Sequence, residues 1–174
     1  RLPDTPFWVE PASVWGDRLT LSADESRHLL RVHRAAPGAP FDATDGRGVL
    51  YRCVLESAGK GNATARIESR VGNAGELPFE IRLLVGLPDA RTAETVVEHA
   101  VPLGVTVMDF AVCARSGGRE PLGESRLERL GRVARAVLKQ SRRTRLPTIR
   151  SSPSLEAAVA ALGAADLRLV ADPG

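Results

Sequence analysis

The chain has 174 residues, 43% hydrophobic and 26% charged, with 16 Gly and 12 Pro spread along it, a balance that fits one large or two small folded domains and excludes a disordered protein. No run approaches 18 apolar residues, so no membrane-spanning helix is expected, and the opening RLPDTPFWVE lacks the apolar core of a secretory signal. The net charge of +3 conceals an asymmetry: residues 115–150 hold eleven Arg or Lys against three acids, a local +8 that leaves −5 for the rest, and so concentrated a positive field attracts polyanions.

The first seventy residues read as β-rich with one short helix. Arg18 to Ser22 alternates as a strand, and Ser22-Ala-Asp-Glu25 has the form of a capping box, which satisfies the free N–H groups at a helix start. Projected at about 100° per residue, Arg27, Arg31 and Arg34 share one face while Leu29, Leu30 and Val32 share the other. A strand from Phe41 to Thr44 meets the tight-turn signal Asp45-Gly46. Beyond it Val49, Tyr51, Cys53 and Leu55 share one face and Leu50, Arg52, Val54 and Glu56 the other. A second hairpin through Gly59-Lys60-Gly61 leads to inward Ala63, Ala65 and Ile67. Short strands this close in sequence are expected to close into a small barrel.

Residues 73–80 have linker composition and divide a unit at 1–72 from another at 81–174. Ile81 to Gly86 is a near-continuous apolar strand of the kind buried on both faces. A helix from about Thr92 to Leu103, a strand from Val105 to Cys113, a helix from Ser125 to Ser141, a helix from Ser154 to Leu162 and a last strand from Leu167 to Ala171 follow. Alternating strands and helices predict an α/β domain with a parallel sheet, whose ligands bind beyond the carboxyl ends of the strands. The sequence ends at Asp172-Pro173-Gly174, directly after the expected strand, so this domain is expected to be incomplete.

The long helix gathers Arg132, Arg135, Lys139, Arg142 and Arg143 on one side, with Leu127, Leu130, Ala134 and Val137 opposite, and KQSRRTRLP at 139–147 carries the charge past its end. Guanidinium forks match phosphate geometry, and a row of them one helical turn apart suits a nucleic-acid backbone. The same pattern fits the solvated face of an ordinary amphipathic helix, and cations near a helix carboxyl terminus also favour its dipole. Cys53 and Cys113 are isolated thiols, expected to be buried, reduced and structural as in a cytoplasmic protein. His28, His33 and His99 lack metal-ligand spacing, and no GxSxG, P-loop or GxGxxG occurs. Aromatic residues, at 4%, are too scarce for base stacking to be the main binding mode.

FWVEP at 7–11, LSADESRHLLRVHR at 21–34, APGAPFDATDGRGVLYRCVL at 36–55, IRLLVGLP at 81–88, VVEHAVPLGV at 96–105 and LKQSRRTRLP at 138–147 resemble, in order and separation, the ribosomal small-subunit RNA methyltransferase E family. The resemblance covers nearly all of the chain. It implies a PUA-like RNA-binding β-barrel followed by a knotted SPOUT-type α/β methyltransferase domain that forms a homodimer when full length. It also implies S-adenosylmethionine as cofactor, and N3 of a uridine in 16S ribosomal RNA of the small subunit as target. Arg27, His28, Arg31, Arg34 and Arg47 are then expected RNA contacts from the barrel, and Gln140, Arg143 and Arg145 contacts beside the active site. Arg27 stands where the family usually has His, and His99 and Pro102 replace a Lys and a Glu. The family's Gly-Pro-Glu-Gly-Gly and Leu-Arg-x-Glu-Thr-Ala segments, which form the knot and cradle the cofactor, have no counterpart. The resemblance therefore assigns no cofactor-binding residue, catalytic base or metal to this chain. The alternatives are a non-catalytic RNA-binding or ribosome-assembly module without the knot, and an unrelated α/β binding protein with a solvated basic surface.

Overall fold

Two hydrophobic units meet along one strand in the computed structural model, which describes residues 5–59 and 61–171. The first unit contains β1 (Phe7–Trp8), β2 (Val14–Trp15), β3 (Arg18–Thr20), β4 (Pro40–Thr44), β5 (Val49–Ala58) and β6 (Ala63–Gly72), in one sheet ordered β1-β4-β5-β6-β3-β2. The sheet curls into a half-barrel. Alternation along β5 and β6 sends Tyr51, Cys53, Leu55, Ala63, Ala65 and Ile67 inward against Leu19, Leu21, Leu29 and Phe41. Lys60, at the expected hairpin tip, lies outside the described residues.

Successive side chains of a strand face opposite ways, and β1 uses this to join the units. Its Phe7 packs in the barrel core and its Trp8 in the core of the second unit. Neither β1 nor β2 is foreseen in the sequence, because two residues show no period.

Helix α1 (Ala23–Arg27) starts as the capping box predicts, with the Ser22 hydroxyl accepting from the Glu25 N–H at 3.3 Å. The winding then changes to a π turn over His28–Val32, where the His33 N–H donates to the His28 carbonyl at 3.2 Å. A wider turn rotates everything beyond it about the axis, which corrects the expected single row of arginines. Val32 is 63% exposed instead of packing beside Leu29. Arg34 lies past the helix, in the left-handed region at φ 52°.

The second unit contains β7 (Ile81–Gly86), α2 (Ala90–Ala100), β8 (Val105–Ala111), α3 (Glu124–Ser141), β9 (Thr148–Ser152) and α4 (Leu155–Leu162), with a parallel sheet ordered β7-β8-β9. Asp89 caps α2, its carboxylate accepting from the N–H groups of Arg91 and Thr92 at 2.9 and 3.0 Å. Val97, Val101, Leu130, Ala134 and Leu138 bury Met108 and Phe110. Strand β7 departs from the expected burial on both faces, since Leu83, Leu84 and Val85 are only partly covered. Cys53 is buried and Cys113 half-buried, and both are free thiols.

The last strand is also corrected. Residues 167–171 form none, and Leu167, Leu169 and Val170 are 73%, 84% and 90% exposed. The third strand is instead the polar TIRSS of β9, held to the buried Asp109: half-buried Arg150 donates its Nε to Asp109 Oδ2 at 2.6 Å, and the Ser152 hydroxyl donates to the same oxygen at 2.9 Å. A strand needs a hydrogen-bonding neighbour more than an apolar period, and β9 occupies the place beside β8.

Candidate nucleic-acid interface

Most of the basic face of α3 is an internal seam. The Arg135 guanidinium stacks 4.3 Å from the centroid of Trp8 and donates to Glu10 Oε1 at 3.1 Å, an oxygen that also accepts from Trp8 Nε1 at 2.8 Å. Lys139 Nζ meets Glu25 Oε1 of α1 at 2.5 Å. Both pairs fasten α3 to the half-barrel. Arg132 remains exposed on the same helix.

Arg143, expected to touch RNA, is only 2% exposed. Its Nη1 donates to the carbonyls of Val101 and Val105 at 2.8 and 3.0 Å, and its Nε and Nη2 to Glu76 Oε2 at 3.2 and 2.5 Å. Glu76 Oε1 accepts the N–H groups of Thr144 and Arg145 at 2.7 and 2.8 Å. Arg143 is thus a buried clamp between residues 73–80 and the second unit, with no surface to offer a partner. The αL conformation of Arg142, φ 58°, ends α3 and turns the chain into this clamp.

Beside the clamp the structure unites two expected residues. The turn Asp45-Gly-Arg-Gly48 is pinned by its own carboxylate: Asp45 Oδ1 accepts from the Arg47 N–H and Oδ2 from the Tyr51 hydroxyl, each at 2.9 Å. Burial, and then this carboxylate, pushes the Tyr51 phenol up to about 12. The turn then zips onto the segment after α3, with Gly48 N–H donating to Thr144 and Leu146 N–H to Gly46, both at 2.8 Å. Gly46 is required here, because a Cβ would lie 2.7 Å from the Trp8 ring at a φ of 77°.

This zipper makes Arg47 and Arg145 partners in an antiparallel bridge. Both are exposed. Arg145 Nη2 donates to the neutral Asn73 Oδ1 at 3.0 Å, and no ion pair engages Arg47 among the described residues. Like charges directly opposite one another oppose pairing. An anion between them removes that repulsion, and phosphate matches the guanidinium fork.

On the half-barrel, Arg31 and Arg34 are exposed with no ion pair among the described residues, while Arg27 meets Asp24 at 3.2 Å with its side chain 63% exposed. The π turn adds a feature that spacing alone does not show: His28 and His33 stack edge-on, ring centroids 4.6 Å apart and Nε2 atoms 3.1 Å apart, against Phe7. Burial, and then the charge of His28, holds His33 below the usual histidine range. Gln140 is exposed in a separate groove of about 620 Å³ between α2 and α3, lined also by His99 and Pro102.

Beyond the carboxyl end of β8, residues 118–126 line an open cavity of about 440 Å³ whose walls include Glu120 as well as Arg119 and Arg126. Arg119 and Arg126 oppose the positive sulfonium of S-adenosylmethionine there, whereas Glu120 favours it. This lining assigns no holder for that group among the described residues. Those residues contain no cluster of three or more metal-ligating side chains and no helix long and apolar enough to cross a membrane.

Residues 21–68 match the family described as RNA methyltransferase PUA domain, and residues 75–174 the RNA methyltransferase domain. A ribosomal RNA small subunit methyltransferase E of Mycobacterium bovis is 32% identical over 148 residues, covering 82% of this chain and 55% of that protein, so the chain spans about half the length of this relative. A probable rRNA-methyltransferase of Porphyromonas gingivalis superposes with TM-score 0.72 at 27% identity, over 88% of this chain and 63% of the other. A ribosomal RNA small subunit methyltransferase E of Neisseria gonorrhoeae, solved bound to S-adenosyl methionine, superposes with TM-score 0.70 at 24% identity, over 84% and 62%.

Proposed function

The chain belongs to the ribosomal RNA small subunit methyltransferase E family, and on that premise we propose that its protein transfers a methyl group from S-adenosylmethionine to N3 of a uridine in 16S ribosomal RNA. The residues described here grip and orient the RNA. The opposed pair Arg47 and Arg145, which no ion pair neutralises among the described residues, carries this reading. A phosphate seated between them fixes the strand at the junction of the two units. Arg31 and Arg34 hold a second stretch of backbone on the half-barrel, with Arg27 and His28 beside them. Contacts of this kind set register and orientation without reading sequence.

Because Glu76 and Arg143 lock the junction, the two sets of contacts keep a fixed separation. Positioning of this kind supplies much of the acceleration in a reaction between two bound partners. S-adenosylmethionine supplies the electrophilic methyl group. The RNA must present the uridine N3, which lies on the pairing edge of the base, so that edge has to be unpaired when it reacts.

The test uses the protein at its natural length with small ribosomal subunits and S-adenosylmethionine labelled in its methyl group. A methyl on the pairing edge stops reverse transcriptase, so the expected result is label in 16S RNA and a single new stop. Charge reversal at Arg47 and Arg145 together should lower the salt slope of RNA binding by roughly 0.8 log units per log unit of salt, as loss of the one phosphate held between them implies. RNA binding without label transfer would favour the non-catalytic assembly module; an unchanged slope would remove the pair from the interface.

A further inference from the structure

The segment joining the two units ends in an exposed aromatic ring. Phe79 is 60% exposed, and next to it lies a cavity of about 230 Å³ walled by Asn73, Leu77, Phe79, Gly104, Thr106 and Arg145. Arg145 belongs both to this wall and to the like-charged bridge with Arg47.

We propose that this cavity is a subsite for one unstacked RNA base, stacked on Phe79, while the adjoining phosphate lies between Arg47 and Arg145. The inference rests on the RNA-binding reading above and adds a second recognition element to it.

Three observations favour a base over other occupants. First, the charge suits a polyanion. The carboxylates at the cavity are already committed, Glu76 to Arg143 at 2.5 Å and Glu80 to Arg82 at 2.8 Å, which leaves the Arg145 guanidinium to set the sign at the mouth. Second, the walls are preformed. Asn73 sits in the left-handed region at φ 51°, its N–H donating to the Gly48 carbonyl at 2.6 Å, and Leu77 lies so close over Gly104 that a Cβ there would fall 2.4 Å from its Cδ1. Third, the lining joins a flat apolar ring to the polar groups of Asn73 and Thr106, the combination by which proteins hold splayed-out bases of single-stranded RNA. Asn73 Oδ1 accepts from Arg145 and leaves the amide N–H groups to donate, while the Thr106 hydroxyl donates to the Ile81 carbonyl and can still accept. Ring scarcity argues against an extended platform but leaves room for one stack.

The experiment measures binding of a short single-stranded RNA carrying 2-aminopurine, alongside a duplex of the same length, at several salt concentrations. Wild-type protein should quench the fluorophore at saturation. Phe79→Ala should abolish the quench and weaken single-stranded binding about tenfold, the usual cost of losing one base–aromatic stack, without changing duplex affinity or salt slope. Phe79→Trp should restore both quench and affinity. Because Phe79 is exposed, the urea midpoint of Phe79→Ala should match wild type, which separates lost stacking from misfolding. If Phe79→Ala binds and quenches as wild type does while Arg47→Glu weakens binding, the subsite is refuted and the phosphate-binding pair stands. If Arg47→Glu and Arg145→Glu also leave binding unchanged, the pair leaves the interface together with the subsite; if wild-type protein binds neither RNA at low salt, the RNA reading itself fails.

Discussion

Replacing Arg143 by Met tests the clamp that fixes the two units. Its guanidinium and the Glu76 carboxylate are 2% and 5% exposed, and removing one member of a buried pair costs about 3–5 kcal/mol, because the other charge is left without compensation. The carbonyls of Val101 and Val105 lose their donor as well, a loss of up to about 1 kcal/mol each that overlaps the first. Two surviving bonds from the N–H groups of Thr144 and Arg145 to Glu76 hold the total near the middle of that range, about 4 kcal/mol. With a urea m-value of about 2 kcal/mol/M, the midpoint should fall by roughly 2 M. Unfolding followed by the emission of Trp8, buried at the junction, reads this directly. Adding Glu76→Gln should recover part of the loss, because Gln still accepts the two N–H groups and strands no charge. The pair should therefore show a coupling above about 1 kcal/mol in a double-mutant cycle. A fall under about 0.5 M, or strictly additive single substitutions, would refute the clamp.

Arg135→Ala removes the guanidinium stacked on Trp8 and should cost about 1 kcal/mol, discounted because the side chain is 41% exposed; an unchanged midpoint and unchanged Trp emission would argue against the stack. Burial pushes the Cys53 thiol up to about 12, so a thiol reagent at neutral pH should modify Cys113 in the native protein and both cysteines only in denaturant, and prompt native reaction at Cys53 would contradict its burial. His33 is held below its ordinary 6.5, so the unfolded chain takes up the proton first as pH falls. Its contribution to stability is complete above about pH 6.5 and is lost as pH falls through the folded value. Urea midpoints between pH 7.5 and 5 should show a decline that His33→Leu flattens; an equal decline in the variant would place the effect elsewhere.

The long alternations were readable because burial itself enforces them: β5, β6, α2 and α3 lie within a few residues of where period and capping signals put them. The misplaced last strand and the misread basic face of α3 share one cause, dependence on distant partners. TIRSS has no apolar period and becomes a strand through Asp109, 41 positions away from Arg150, whereas the more apolar residues 167–171 pair with no strand among the described residues. The arginine spacing of α3 was legible, but the acids that consume it, Glu10, Glu25 and Glu76, are 125, 114 and 67 positions from their partners. That distance separates Arg143, which is structural, from Arg145, which faces outward. The His28 and His33 contact was hidden for a different reason, since a π turn follows from no local preference that the segment displays.

The two neighbouring rings of β1 have a consequence for how such proteins can be recombined. Phe7 and Trp8 point into separate interiors from one short strand, so cutting the chain at residues 73–80 would strip the cover from an indole that the amino-terminal piece cannot hide. A graft of that piece onto another member's catalytic half would need a recipient helix shaped for the indole and carrying a cation to cap it. Shuffling of these halves should therefore succeed only between parents that match at both surfaces.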